Sequence, residues 1–220
     1  TDRTPVLGRG VFDGCTRIET IDLLGNPEGN AARLLGALAT KLPAPYLLRD
    51  EEIGSKNWFN KWDMALINFL NTDDYEGYSD RALCGEEDIS YDGIGSVDGE
   101  FLGESYQYIK EVGKNKAGLA LLRLLHSEHM ELFVKEKLEE YIKSHSKGCA
   151  LESAWLYVTE DMKDDLTEFE QYIEIVKPGE ELIDMMISDL KADKAHMRAY
   201  LINHKSANFV KKDVFDDFFV

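Results

Sequence analysis

Apolar residues recur at Ala31, Leu34, Leu35, Leu38 and Leu42, the three- and four-residue spacing that draws one stripe along a helix. Asn26 supplies an N-cap for it, Pro27 the first helical position, and Pro43 and Pro45 the stop, while Gly29 and Gly36 weaken it. A shorter helix precedes it, with Ile18, Ile21 and Leu24 at the same spacing and Gly25 as terminator. Ser55 opens the clearest early helix. There Trp58, Phe59, Trp62, Ala65, Leu66, Phe69 and Leu70 form an aromatic face that must be buried.

From Thr72 the periodicity collapses into a Gly-, Asp- and Glu-rich stretch that lasts to Gly103. Irregular segments of that length are uncommon inside a compact domain and are usually functional or mobile. Helical spacing resumes from Tyr106 to Val112 and pauses at Gly113. It then runs from Lys116 to Ser144 through Leu119, Leu122, Leu125, Met130, Phe133, Leu138 and Tyr141. After Gly148, Ala150, Leu151, Ala154, Trp155 and Val158 mark another helix, and Leu166, Phe169, Tyr172 and Ile173 a further one. Pro178 opens the longest, through Leu182, Ile183, Met186, Ile187, Leu190, Met197 and Leu201 to Asn203. The last residues carry Phe209, Val210, Val214, Phe215, Phe218 and Phe219, which read as a closing helix docked on the body or as a partner-binding tail. In the tail reading Phe215, Phe218 and Phe219 are the contacts.

No fixed-period repeat is present, so the pattern predicts one all-α domain over residues 1–220, an irregular bundle of about eight helices. It divides into a helical block at 13–71, an irregular acidic Gly-rich loop at 72–103, a second block at 104–204 and an aromatic C-terminal segment at 205–220. A chain of 220 residues is long enough to bury a core without disulfides or metals.

Charge narrows the function. With 42 Asp plus Glu against 25 Lys plus Arg, the net charge of −17 repels nucleic-acid phosphates and anionic membranes. It fits solubility, a basic protein partner or metal ions. No apolar run reaches the roughly 18 to 20 residues that span a bilayer, and the polar start lacks a secretory apolar segment. Three cysteines with no C-x-x-C spacing point to a reducing intracellular compartment, the cytoplasm first.

The acidic loop contains Asp88, Ser90, Asp92 and Gly93, which resemble the first half of an EF-hand calcium loop, where oxygen ligands at positions 1, 3 and 5 precede a glycine turn. Gly95 and Gly99 then stand where an apolar residue and the bidentate glutamate belong. Asp98 and Glu100 are the remaining oxygen donors for a weak Ca²⁺ site; the plainer reading is an Asp-Gly turn.

His126 and His129 lie three apart on an apolar stripe, and Asp189, Asp193 and His196 line one strip of the C-terminal helix. Brought together, these imidazoles and carboxylates would suit a transition metal such as zinc, manganese or iron. H-E-x-x-H, E-x-x-H and His-Asp are all absent, and histidines at the core margin beside a solvated flank explain the pattern as well.

Two cysteines are candidate nucleophiles. Asp13-Gly14 before Cys15 resembles the Asp-Gly-Asn-Cys entry of ovarian-tumour-type deubiquitinases, without the Asn and without a Trp-His partner motif. Cys149 follows Gly148 at a helix start, where the dipole lowers a thiol pKa. Inert thiols are the alternative for both. No G-x-S-x-G, P-loop or dinucleotide glycine pattern occurs. The expected function is a non-catalytic, acidic helical interaction or structural subunit that meets a basic protein partner through the acidic loop or the C-terminal aromatics. A metal-dependent or cysteine enzyme, a weak calcium binder and a nucleic-acid mimic are the alternatives.

Overall fold

In a computed structural model of the protein, the Ser55 side chain accepts the Trp58 N–H at 3.2 Å and so caps the helix that its position predicts. The structure describes residues 12, 15, 17–22, 30–75, 97–146 and 152–209, and of residues 30 and 97–105 the backbone alone. The described residues form eight α-helices and no strand, so the fold is an all-α bundle. They are α1 (Asn30–Thr40), α2 (Lys56–Asn71), α3 (Val97–Leu125), α4 (Leu132–Ser144), α5 (Ser153–Leu156), α6 (Leu166–Val176), α7 (Glu180–Asp189) and α8 (Ala195–Asn208). A 3₁₀ turn at Pro45–Arg49 follows α1, and α5 runs straight into a π-helical turn at Tyr157–Asp161. No described helix is long and apolar enough to cross a membrane.

Helix α3 is the hub, packing against α1, α2, α4, α5, the π turn and α6. Its middle, Lys116 to Leu121, is buried on every face, the condition of a helix enclosed by others rather than lying on a surface. Two glycines make that possible. A Cβ on Gly118 would stand 2.5 Å from the Tyr157 ring, and one on Gly113 would stand 2.9 Å from the Ser153 Cβ. Gly113 therefore does not interrupt the helix as its low propensity suggests. It lets α5 cross at close range, and packing outweighs a propensity cost of about 1 kcal/mol.

Further departures have equally local causes. Residues 18–22 are not helical: they lie over α1, where Ile21 N–H donates to the Ala32 carbonyl at 3.0 Å and the Glu19 carbonyl fills the space a Gly36 Cβ would need. The caps read at Asn26 and Pro27 lie outside the described residues. The backbone is helical from Val97, so the irregular segment ends earlier than residue 103. The helix expected from Lys116 to Ser144 breaks at 126–131, and the one expected from Pro178 to Asn203 breaks at 190–194. Pro178 itself sits before the N-cap Gly179 rather than at the first helical position, after Lys177 has ended α6 in the left-handed region at φ 49°. Helices α7 and α8 form an antiparallel pair, tied by Lys205 to Asp184 at 2.7 Å, and α8 also packs on α6.

Candidate functional site

The first break is built by a charge that the core has to accommodate. Asp63, on the buried face of α2, and Arg123, on α3, are 2% and 0% exposed. Arg123 Nε donates to Asp63 Oδ1 at 2.5 Å and Nη2 to Oδ2 at 3.0 Å, a two-pronged pairing that suits guanidinium and carboxylate planes. The same guanidinium reaches past the end of α3. Nη1 donates to the His126 carbonyl and Nη2 to the Glu128 carbonyl at 2.9 Å, and the cation lies over the Phe59 ring at 5.1 Å. Carbonyls of the turn beyond the helix end are thus satisfied by a side chain anchored in the core.

Held in this way, the chain reverses within six residues, and His129 takes a left-handed φ of 52°. The reversal sets the register of α4. Val134, Leu138 and Ile142 enter the core, while Leu132 and Phe133 emerge 71% and 48% exposed, beside the exposed carboxylates of Glu131 and Glu136. His126 is half-buried at this corner, and its Nε2 has no hydrogen-bond partner among the described residues. Burial, reinforced by Arg33 and Arg123, holds its pKa below the ordinary 6.5, so the ring is neutral at pH 7.

A second feature is a cleft of about 410 Å³ bounded by residues 17–19, α1, α3, the π turn and the start of α6. Ile18, Ala37, Leu119 and Leu122 give it apolar walls. Tyr157 OH donates to Glu168 Oε1 at 2.8 Å at its edge. Burial pushes the Glu168 carboxyl above its ordinary range against the pull of that bond and of Arg33 and Lys41, and it pushes the Tyr157 phenol up as well. The acidic run from Glu160 to Glu170 largely serves this region. Glu160 and Asp161 pair with the buried Lys114 at 3.1 Å, and Asp165 caps α6 by accepting the Thr167 N–H at 2.8 Å.

Of the residues singled out from the sequence, His126 and His129 lie at the same corner, His129 exposed with its ring 5.6 Å from Phe59. Asp189 accepts the Trp155 indole N–H at 3.0 Å, Asp193 is exposed in the turn before α8, and His196 pairs with Asp164 at 2.7 Å. Among the described residues no three His, Cys, Asp or Glu side chains stand close enough to share a metal ion. Cys15 is an exposed free thiol whose N–H donates to the Phe12 carbonyl at 2.9 Å. Cys149, Asp88, Ser90, Asp92, Phe215, Phe218 and Phe219 lie outside the described residues, and Asp98 and Glu100 fall on the helical backbone of α3 rather than in a loop.

The residues that organise both places, Asp63, Arg123, Tyr157 and Glu168, are not in the sequence-derived set. A signal for Asp63 exists: it stands four residues after Phe59 and three before Leu66, a carboxylate on a face that otherwise demands burial. Such a residue requires a cationic partner, although the pattern does not say which. A comparison of the chain with protein families, with curated proteins and with solved structures finds no match.

Proposed function

We propose that this chain is a non-catalytic, acidic helical subunit that docks on a protein partner bearing basic side chains, with the corner at the head of α4 as the contact. The observation that carries this reading is the exposure of Leu132 and Phe133 side by side, next to Glu131 and Glu136, on a backbone fixed by the Asp63–Arg123 pair. Apolar anchors held in a rigid position bind with little entropy loss, and a carboxylate rim selects cationic neighbours. A net charge of −17 extends that selection to long range, which steers the encounter and makes it sensitive to salt. An intracellular, reducing location completes the reading, supported by the unpaired spacing of the cysteines and the free thiol of Cys15.

The test is a capture from native extract with the wild-type chain, with Leu132→Ser/Phe133→Ser and with Phe215→Ser/Phe218→Ser/Phe219→Ser. A partner retained by wild type, lost on the first double variant and released by salt is the expected result, with the melting curve unchanged. Retention of every captured protein by the Leu132/Phe133 variant would refute the corner as contact. Loss on the C-terminal variant alone would move the contact to the aromatic segment.

A further inference from the structure

The cleft between residues 17–19, α1, α3 and α6 lacks the acidic excess of the molecule around it, being lined by four cationic side chains and four carboxylates. Its carboxylates are already engaged within the fold. Glu19 accepts from Lys163 at 2.9 and 3.0 Å, Asp161 from Lys114, Asp165 from the Thr167 N–H and Glu168 from Tyr157. Lys163 is the cation that Glu19 binds; the other three are less committed. Among the described residues Arg17 and Lys41, exposed at the rim, have no carboxylate within 4.0 Å, and Arg33 has only Glu19 there, at the loose distance of 3.7 Å, while it and Lys41 act on Glu168 at longer range. Unspent positive charge therefore borders apolar walls of Ile18, Ala37, Leu119 and Leu122, in a chain whose net charge is −17.

We propose that this cleft is a binding site for a small amphipathic anion, whose acid group meets Arg17, Arg33 and Lys41 and whose apolar body lies against Ile18 and Leu122. The volume of about 410 Å³ lies in the range of small-molecule pockets and accommodates a body of one or two fused rings or a short alkyl chain. The combination of apolar wall and few polar contacts is the usual basis of such recognition. Two features favour an anion over a neutral or cationic ligand. The carboxylates already accept bonds within the fold, and the guanidinium of Arg33, 3.7 Å from Glu19, retains donors. The site is independent of the α4 corner, so either can stand without the other.

The probe is 1-anilinonaphthalene-8-sulfonate, titrated into the native full-length chain and followed by fluorescence, with the uncharged N-phenyl-1-naphthylamine in parallel. Two variants separate charge from place. Arg17→Gln/Lys41→Gln removes exposed rim cations that have no carboxylate within 4.0 Å among the described residues, and Thr40→Trp fills the cleft without changing its charge. Saturation at one sulfonate per chain is expected, with affinity lowered about tenfold by the Gln pair, as for the loss of charge-assisted contacts. The uncharged probe should bind the Gln pair as it binds wild type, and Thr40→Trp should abolish both. Unchanged sulfonate affinity in the Gln pair would overturn the anion specificity, and unchanged binding in Thr40→Trp would overturn the location. A melting curve within 2 to 3 °C of wild type, roughly the effect of less than 1 kcal/mol, confirms that each variant is folded.

Discussion

Both places where a helix breaks against its apolar pattern, 126–131 and 190–194, are joints closed by side chains reaching across the bundle, yet they differ in depth and charge. At the first, the buried Arg123 is matched by a buried carboxylate, Asp63, and spends its remaining donors on two carbonyls. At the second, the buried Lys194 donates to the Met162 carbonyl and Arg198 to the Leu190 carbonyl, while Asp164 accepts the N–H groups of His196 and Met197, each at 3.1 Å. Asp164 thus caps α8 from a different part of the chain. The first joint links α2, α3 and the head of α4 through the core. The second fastens the start of α8 at the periphery. A charge at the first joint is therefore a global liability if its partner is lost, whereas a bond at the second is a local one.

The sharpest way to break this contrast is to remove one member of the core pair. Asp63→Ala leaves the Arg123 guanidinium buried without its carboxylate, and a loss of about 3–5 kcal/mol is expected, read from urea unfolding. Replacing both as Asp63→Leu/Arg123→Met should restore much of that loss, because a buried pair exchanged for apolar groups of similar size is often near neutral. Restored stability should nevertheless come with faster amide exchange at residues 127–133, because the carbonyls of His126 and Glu128 lose their donors. Slow exchange there in a stable double variant would show that the pair does not set the corner.

The joints also explain what was legible in the sequence. The helical class, the near-complete burial of Trp58, Phe59 and Trp62, and the existence of most helices follow from spacing alone, because amphipathic periodicity is local. Neither break is local. Leu125 to Met130 and Leu190 to Met197 keep their apolar spacing through the turns, since the same residues still face the core on either side of the reversal. At each break a side chain bonds a residue distant in sequence: Arg123 to Asp63 across 60 positions, Lys194 to Met162 across 32. The cleft is invisible for the same reason, as Arg33, Tyr157 and Glu168 meet only through the packing of α1, α3 and α6. The acidic run at 160–170 stands in the sequence only as charge between two helices, and it takes the structure to show that Asp165 caps α6. That Asp164 caps α8 was not readable.

A smaller effect is expected at the second joint. Asp164→Ala removes a carboxylate cap, for which about 1 kcal/mol is typical, and exchange should accelerate at the start of α8 alone. The pH dependence has a definite sign. Burial works against the Asp164 carboxylate, but the N–H groups of His196 and Met197 and the His196 ring hold its pKa below the ordinary 3.8. A depressed carboxylate stabilises the fold fully above its unfolded value and loses that contribution as pH falls through the folded one. Thermal melts should therefore show the stability difference between wild type and Asp164→Ala shrinking as pH falls below 3.8.

The smallest effect separates the joints by the pH at which each is challenged. At the first joint the relevant group is His126, whose folded pKa is depressed below 6.5 by burial and by Arg33 and Arg123. The unfolded chain takes up its proton first as pH falls, so the stabilisation is complete above 6.5 and is progressively lost below that value as pH approaches the folded pKa. The first joint is thus strained by mild acid, under which Asp164 at the second remains fully ionised. His126→Phe removes the titrating ring while keeping its shape and the backbone carbonyl that Arg123 binds. Because Nε2 forms no bond among the described residues, stability at pH 7.5 should change by no more than about 0.5 kcal/mol. Melting temperatures collected from pH 7.5 to 5 should then fall less in the variant than in wild type. Parallel curves for the two proteins would mean that the His126 ring takes up its proton equally well in the folded and unfolded chain, and that the corner does not feel mild acid through it.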